Sequence, residues 1–573
     1  MNNQRTMVGT VVGESTTQEF RIAVTPGEVQ VQDLIALDAL VEDEGGEKMD
    51  IRIWAKIEAI ERMNPLFPLE SGQELADLRV NPFDTVISMS REMITAQCRI
   101  LGYEQKQEHG KYRPLKKLRY PPQPASSAYR PVKEELQRLI MGELGEGHRA
   151  HRRLDIGWLS ARRDVDLFID GHPIVARHVA ILAMTGAGKS WTAKRIVEQL
   201  AQKKYPIVIF DPHGEYASLA EVAKLSGQVR NYYAFVRVLD EDASDVVRLI
   251  GGLSGSSLSP RMEDLFGDLF EFAQHILTDP EQRQELRDWL LQIRDNQYLS
   301  QYGLNDDLFG IATIGDYARE LIISGNQPVL AQLQSWGYNG VTGLNRRDAE
   351  TLKGIAWRAR KAAAALARMA SINRRISKGQ EALPTETRQL VDKGRISVIG
   401  LAGYSSDIRA SIYSLVMDKL FNDRVQDSIR LPFLLVLEEA HNFVPDTPLS
   451  DPEKQALQIT RQIAQEGRKF GVGLVMISQR PSRLDQTALS QCNSFVIMRL
   501  VNPADQQFVR RVIETIGEQE ARLLPDLDVG EAIISGQSVQ FPLLVQIKPP
   551  QARSKKEEED LIRDVLNYTA GKN

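Results

Sequence analysis

Six short stretches of this chain are apolar almost without interruption: HVAILAM (178–184), PIVIF (206–210), RISVIGL (395–401), PFLLVLEE (432–439), GVGLVMISQ (471–479) and SFVIMRL (494–500). A strand with one face in water alternates apolar and polar residues. A strand covered on both faces has no reason to, and such strands belong to parallel sheets sandwiched between helices. The first stretch runs into the amphipathic SWTAKRIVEQLAQK. The expected class is therefore α/β, with a mainly parallel sheet whose carboxyl edge is where open sheets of this kind bind ligands.

Two other textures surround this one. Roughly Ala243 to Lys378 lacks strand patterns and reads as successive helices, among them EDLFGDLFEFAQHIL, EQRQELRDWLLQIRD and RRDAETLKGIAWRARKAAAALARMASINRR, inserted into one sheet. The first ~115 residues carry alternating segments, MVGTVVGE, EFRIAVTP, DIRIWAKIEAI and TAQCRILGY, between turn formers such as TPGE and EDEGGE, the pattern of a small β-barrel. Between them RYPPQPASSAYRP (119–131), with four prolines, predicts an extended linker or surface crossover. The expected layout is a barrel over 1–120, a linker or crossover over 121–150, and an α/β core over 151–242 and 381–548. The helical insertion takes 243–380, and an extension over 549–573 ends in a charged helix, SKKEEEDLIRDVLNYTAGKN.

Composition narrows the class without naming a task. Among 573 residues 42% are hydrophobic and 26% charged, and no apolar run reaches the roughly 18–20 residues a membrane helix needs. The amino terminus, MNNQRTMVGTVVGES, lacks a signal-peptide core, and the two cysteines, Cys98 and Cys492, cannot build a disulfide framework. A reducing cytoplasm and no membrane partner are expected. A net charge of -5 argues against a nucleic-acid coat protein but leaves room for a locally basic channel or loop.

Chemistry enters with AMTGAGKS (183–190), which follows an apolar strand, precedes a helix and has P-loop spacing, with Ala183 where the strict pattern has Gly. Such a loop needs glycines where backbone amides turn toward phosphate, a lysine for the terminal phosphates and a hydroxyl for magnesium. The predicted nucleotide cradle is Thr185, Gly186, Ala187, Gly188, Lys189, Ser190 and Trp191, with Ser190 on the metal.

Hydrolysis also needs acids from neighbouring strands. Glu438 and Glu439 end an apolar strand, Glu438 on the metal side and Glu439 as base or water-orienting residue. Asp211 in FDPHGEY could position water or magnesium, although Asp-Pro-His-Gly is also good turn chemistry. Gln479 ends another strand and suits a sensor of the terminal phosphate. His213 and His441 are expected to be structural or hydrogen-bonding residues rather than metal ligands, having no paired spacing. Arg177, before the P-loop strand, and Arg468, in QEGRKFG, are either transition-state arginines or ordinary surface residues. Arg480 and Arg483 in SQRPSRL are candidate DNA contacts or part of a solvated or intersubunit loop.

The combination AMTGAGKS, FDPHGEY, VLEEAHNF, EGRKFG and ISQRPSRL resembles the HerA branch of the HerA/FtsK family of DNA-pumping P-loop ATPases. The layout is similar too: a HAS-type barrel, a RecA-like core, a helical insertion and a carboxy-terminal extension. The resemblance implies ATP and Mg2+ as cofactors and a homohexameric ring that moves double-stranded DNA through its pore. It implies Glu439 as the catalytic acid, Asp211 and Gln479 assisting at the terminal phosphate, Arg468 as the arginine given in trans and Arg177 as an additional arginine. It also implies a partner: a NurA-type nuclease in DNA-end processing, or another effector, nuclease or sirtuin-type, in phage defence. Two other readings stay open, a ring-shaped ATPase scaffold that assembles and regulates an effector, and a secretion-type ATPase that moves protein.

Overall fold

The computed structural model describes residues 5–42, 48–63, 93–105, 114–145, 147–234, 237–293, 307–324, 331, 334–335, 337, 344–376 and 381–552. The chain forms two bodies. Met1–Pro173, Ala183–Ile196 and Asn493–Pro549 make one; Ile174–Leu182, Val197–Cys492 and Pro550–Asn573 make the other.

In the first body, β1 (Thr6–Val12), β2 (Glu19–Val24), β3 (Leu34–Glu42), β4 (Lys48–Met63), β5 (Met93–Gln105) and β6 (Ser127–Arg130) close a barrel in the order β1-β2-β5-β4-β3-β6. The barrel is the expected one, but its closing strand lies in the stretch expected to be a linker. Ala128 of β6 pairs with Gly9 on one side and Leu37 on the other. Pro124 and Pro131 flank this four-residue strand instead of interrupting its ladder, which is where a strand tolerates proline. A helix, Lys133–Met141, follows at once.

Barrel strands point alternate residues inward, and Ile51, Ile53, Ala55 and Ile57 of β4 do so, in one core with Val11, Phe20 and Leu37. The outward residues Arg52, Trp54 and Lys56 in the middle of β4 are buried as well, each with polar partners. Arg52 bonds Asp38 (3.0 Å) and Glu135 (2.8 Å), the Trp54 indole donates to Glu104 (3.1 Å), and Lys56 bonds Glu520 of the helix Glu518–Leu523. The barrel is thus fastened to the rest of this body by buried polar groups on its outer wall, through Arg52 to Glu135 and Lys56 to Glu520. That remainder includes an antiparallel sheet of β16 (Ser494–Ile497), β17 (Glu531–Gly536), β18 (Leu543–Ile547), β7 (Arg153–Leu159) and β8 (Asp166–Asp170), in that order.

The second body holds the parallel sheet. Its strands β9 (Val179–Leu182), β10 (Ile207–Asp211), β11 (Val229–Tyr233), β12 (Glu381–Ala382), β13 (Ile396–Gly400), β14 (Phe433–Leu437) and β15 (Val472–Ser478) run in the order β12-β11-β13-β10-β14-β15-β9. The central strands β10, β13, β14 and β15 are buried at every position, as their uninterrupted apolar character requires.

The insertion forms the helices Ala243–Ser254, Pro260–Thr278, Pro280–Ile293, Asp307–Ser324 and Arg346–Ile376. It leaves the sheet after β11 and returns through β12, whose Glu381 and Ala382 pair with Tyr232 and Tyr233. Departure and return lie side by side, so the helices are added without breaking the sheet. The charged helix expected over SKKEEEDLIRDVLNYTAGKN lies outside the described residues. Among those described, no helix is long and apolar enough to cross a membrane, and Cys98 and Cys492 are both buried free thiols.

Candidate active site

Strand register brings the expected residues of the second body to one edge. Phe210 lies beside Leu437, Leu437 beside Met476, and Ser478 beside Leu182. These strands are parallel, so Asp211, the Glu438–Glu439 pair and Gln479 stand at a common carboxyl edge, and the chain leaves β9 from that same edge.

Asp211 is 1% exposed, and its carboxylate is used by the backbone. Oδ1 accepts from the amides of His213 (3.2 Å) and Gly214 (2.8 Å), and Oδ2 from the amide of Tyr216 (2.9 Å). Burial raises its pKa above the usual carboxylate range, opposed by these donors. Of the two uses open in the sequence, folding the Asp-Pro-His-Gly turn is the one the geometry shows, with Gly214 at φ 77 supplying its left-handed position. The turn delivers Tyr216, which sequence reading did not single out. Its hydroxyl donates to Glu438 Oε2 (2.7 Å), and burial, followed by the Glu438 charge, keeps the phenol protonated. Asp211 thereby acts on Glu438 through Tyr216.

Glu439 is 4% exposed and adopts a left-handed backbone, φ 48 and ψ 56. Such a conformation costs a non-glycine residue about 1–3 kcal/mol and persists only where its surroundings enforce it. Asn442 enforces it here, donating from its backbone amide and from Nδ2 to the Glu439 carbonyl, both at 2.9 Å. His441 Nδ1 lies 3.3 Å from one carboxylate oxygen and His213 Nε2 4.0 Å from the other. Both histidines thus border the carboxylate. Arg409, on the helix Ser406–Val425, also feels the Glu439 charge, which opposes the lowering of its pKa by burial.

Gln479 is half-buried, while Arg480 and Arg483 are exposed on a loop tied down at several points. Ser478 Oγ accepts from the Arg480 amide (3.0 Å), the Asp446 amide donates to the Arg483 carbonyl (2.8 Å), and Leu484 bridges Pro445. Arg461 grips Asp485 with two bonds, 3.0 and 2.6 Å, and Asp485 caps the helix Gln486–Ser490. Arg468 is exposed on the last turn of the helix Asp451–Phe470.

Arg177 is half-buried and precedes His178, whose backbone is left-handed (φ 61). His178 Nε2 lies 3.1 Å from the Ala464 carbonyl, one helical turn before Arg468, so the bond fixes β9 against the arginine-bearing helix. Burial depresses the His178 pKa to about 4. A histidine neutral in the fold but titrating near 6.5 when unfolded contributes fully above pH 6.5, and this contribution is lost as pH falls toward 4. His178→Asn, which tolerates the left-handed backbone, should therefore narrow its stability deficit against wild type by up to about 3 kcal/mol between pH 7.5 and 4, read by denaturant unfolding. A constant deficit would show that His178 is not buried neutral.

The P-loop belongs to the first body. Gly186 and Gly188 have φ 81 and 102, as phosphate-facing amides require. A Cβ at Gly186 would meet nothing within 4 Å, leaving that face open, whereas at Gly188 it would approach Met498 Cε to 3.2 Å. The loop is anchored by the Met184 amide on the Arg499 carbonyl (2.9 Å), the Gly530 amide on the Ala187 carbonyl (3.0 Å) and Thr192 Oγ1 on the Gly188 carbonyl (3.1 Å). Thr185, Gly186 and Trp191 are exposed, Ser190 is partly buried, and Lys189 is 9% exposed. Arg195, two turns on, fixes the following helix through Asp155, at 2.9 and 2.8 Å.

Residues 154–420 match the family model described as the central domain of helicase HerA. The chain is 27% identical over 468 residues to the probable helicase MJ1565 of Methanocaldococcus jannaschii, covering 79% of this chain and 77% of that one. It is 26% identical over 488 residues to the DNA double-strand break repair helicase HerA of Pyrococcus furiosus, covering 80% and 78%. These similarities are consistent with a HerA-type protein. A second probable helicase of M. jannaschii, MJECL08, is 27% identical over 560 residues, 95% of each chain, so this likeness runs through barrel, core and insertion alike.

Three features of this site escaped sequence reading. Tyr216 stands in the quoted FDPHGEY, yet its partner Glu438 is 222 residues away. Arg409 sits in a mostly buried helix with no motif around it, and Arg461 looks like any solvated helix residue until Asp485 is placed beside it.

Proposed function

We propose that this HerA-type chain hydrolyses ATP and uses the energy to translocate double-stranded DNA, as a homohexamer that works with a nuclease or another effector. The observation that carries the reading is the single sheet edge at which Asp211, Glu438, Glu439 and Gln479 end parallel strands, the edge from which the chain runs into the P-loop.

The residues fit the nucleotide and its metal. The loop offers glycine amides, a lysine and a hydroxyl around the open face at Gly186. Among the described residues no three His, Cys, Asp or Glu side chains gather into a metal site, which suits magnesium, since it takes most of its oxygens from phosphate and water. Bound Mg2+ would neutralise charge developing on the phosphates. Lys189 and Ser190 hold phosphate and metal, and Glu438, oriented by Tyr216, faces the metal side. Glu439, fixed by Asn442, orients water and accepts its proton. Gln479 senses the terminal phosphate, and the exposed Arg468 is available to a neighbouring copy, with Arg177 supporting it.

The test is steady-state ATP turnover with and without a long duplex. Turnover should rise severalfold with DNA. Equal rates would favour a scaffold that assembles an effector, and stimulation by unfolded polypeptide instead of DNA would favour a protein-moving ATPase.

A further inference from the structure

The helix Arg346–Ile376 of the insertion presents one outward stripe. Arg346, Glu350, Lys353, Trp357, Lys361 and Arg368 recur at three- to seven-residue steps, share one face and are all exposed, while Ala349, Leu352, Ala356, Ala359 and Ala363 are buried on the other. Four cations and one acid stand here in a chain whose net charge is -5. At its middle Trp357 is 53% exposed, a large aromatic surface left to water.

Its cationic neighbours are held in place. Lys361 Nζ lies 5.1 Å and the Arg358 guanidinium 5.9 Å from the indole centroid. Lys361 donates to the Ser254 carbonyl (2.6 Å) and Arg358 to Ser256 Oγ (3.0 Å), bonds that fix both cations beside the ring. From Arg346 to Arg368 the helix rises about 33 Å, enough for several phosphates of an extended strand.

We propose that this stripe binds single-stranded DNA, with phosphates along the cations and an unpaired base stacked on Trp357. An exposed aromatic face flanked by cations is the arrangement that recognises unpaired bases without regard to sequence. In a duplex the base faces are already stacked, so Trp357 would have nothing to cover it. A second copy would bring like charges together. An acidic protein segment would satisfy the cations and leave the indole in water.

The proposal extends the DNA-motor reading to a strand outside the duplex track, and its test is independent of hydrolysis. Binding of a fluorescein-labelled 20-nucleotide oligo-dT is measured by anisotropy from 50 to 300 mM salt without ATP. Arg346→Glu/Lys353→Glu/Arg368→Glu should weaken binding at least tenfold and shallow the log–log salt slope by about 2, from three lost phosphate contacts. Trp357→Ala should weaken it about tenfold with the slope unchanged. Unaltered affinity in both variants, or a change in assembly mass by light scattering, would overturn the proposal. Duplex-stimulated ATP turnover of the same variants separates the two readings: retained stimulation with unaltered oligo-dT binding rejects the stripe alone, and absent stimulation in wild type with the expected binding losses rejects the motor alone.

Discussion

Glu439→Gln is expected to bind ATP with wild-type affinity and to hydrolyse it at least about 100-fold more slowly. The amide has the size of the carboxylate, so the left-handed turn held by Asn442 should survive, but it cannot accept a proton from water. Lys189→Ala should behave in the opposite manner, losing nucleotide affinity, because in the proposed roles the ammonium contacts ground-state phosphate whereas the carboxylate acts only as water attacks. Equilibrium binding of a fluorescent ATP analogue and steady-state turnover, measured separately, check both. Near-normal turnover in Glu439→Gln would remove that residue from the chemistry.

The largest effect on stability is expected at Lys56. Lys56 and Glu520 are each 2% exposed and bond to one another, joining the barrel wall to the helix Glu518–Leu523. Removing one member of a buried pair leaves the other charge without compensation, at a cost of about 3–5 kcal/mol, whereas replacing both by apolar residues is often near neutral. Lys56→Met should therefore destabilise strongly, and Lys56→Met/Glu520→Leu should recover most of the loss, read from denaturant midpoints.

Acid should expose the same pair. Burial alone would raise the Glu520 pKa, but the Lys56 charge and hydrogen bond outweigh it and hold the group below the usual range. A carboxylate with a lowered folded pKa contributes stability above its unfolded value near 4.3, and that contribution is lost as pH falls through the folded value. Wild type should lose this increment on acidification, and the double variant should not.

Sequence made the fold legible where burial is two-sided. The strands β9, β10, β13, β14, β15 and β16 stand out because neither face meets water. β11 was missed because Arg230 and Asn231 interrupt its apolar character, and β3 because LIALDALVE mixes helix-favouring Ala and Leu into a strand. β6 was hidden among prolines, and only its pairing with Gly9 and Leu37 reveals it. At the site, local spacing disclosed the P-loop and the Glu438–Glu439 pair, since a loop that cradles phosphate must be contiguous. The supports of those residues are long-range: Tyr216 on Glu438, Arg461 on Asp485 and His178 on Ala464 depend on tertiary approach, which leaves no local signature.

Displacement of a short third strand from a triplex at the end of a long duplex reports movement along DNA directly. With ATP, wild type is expected to release the fluorescent third strand at a rate that grows with ATP concentration, while Glu439→Gln binds the same substrate and releases none. Release by Glu439→Gln at the wild-type rate, or no release by a wild-type chain that hydrolyses ATP on the same DNA, would contradict ATP-driven translocation.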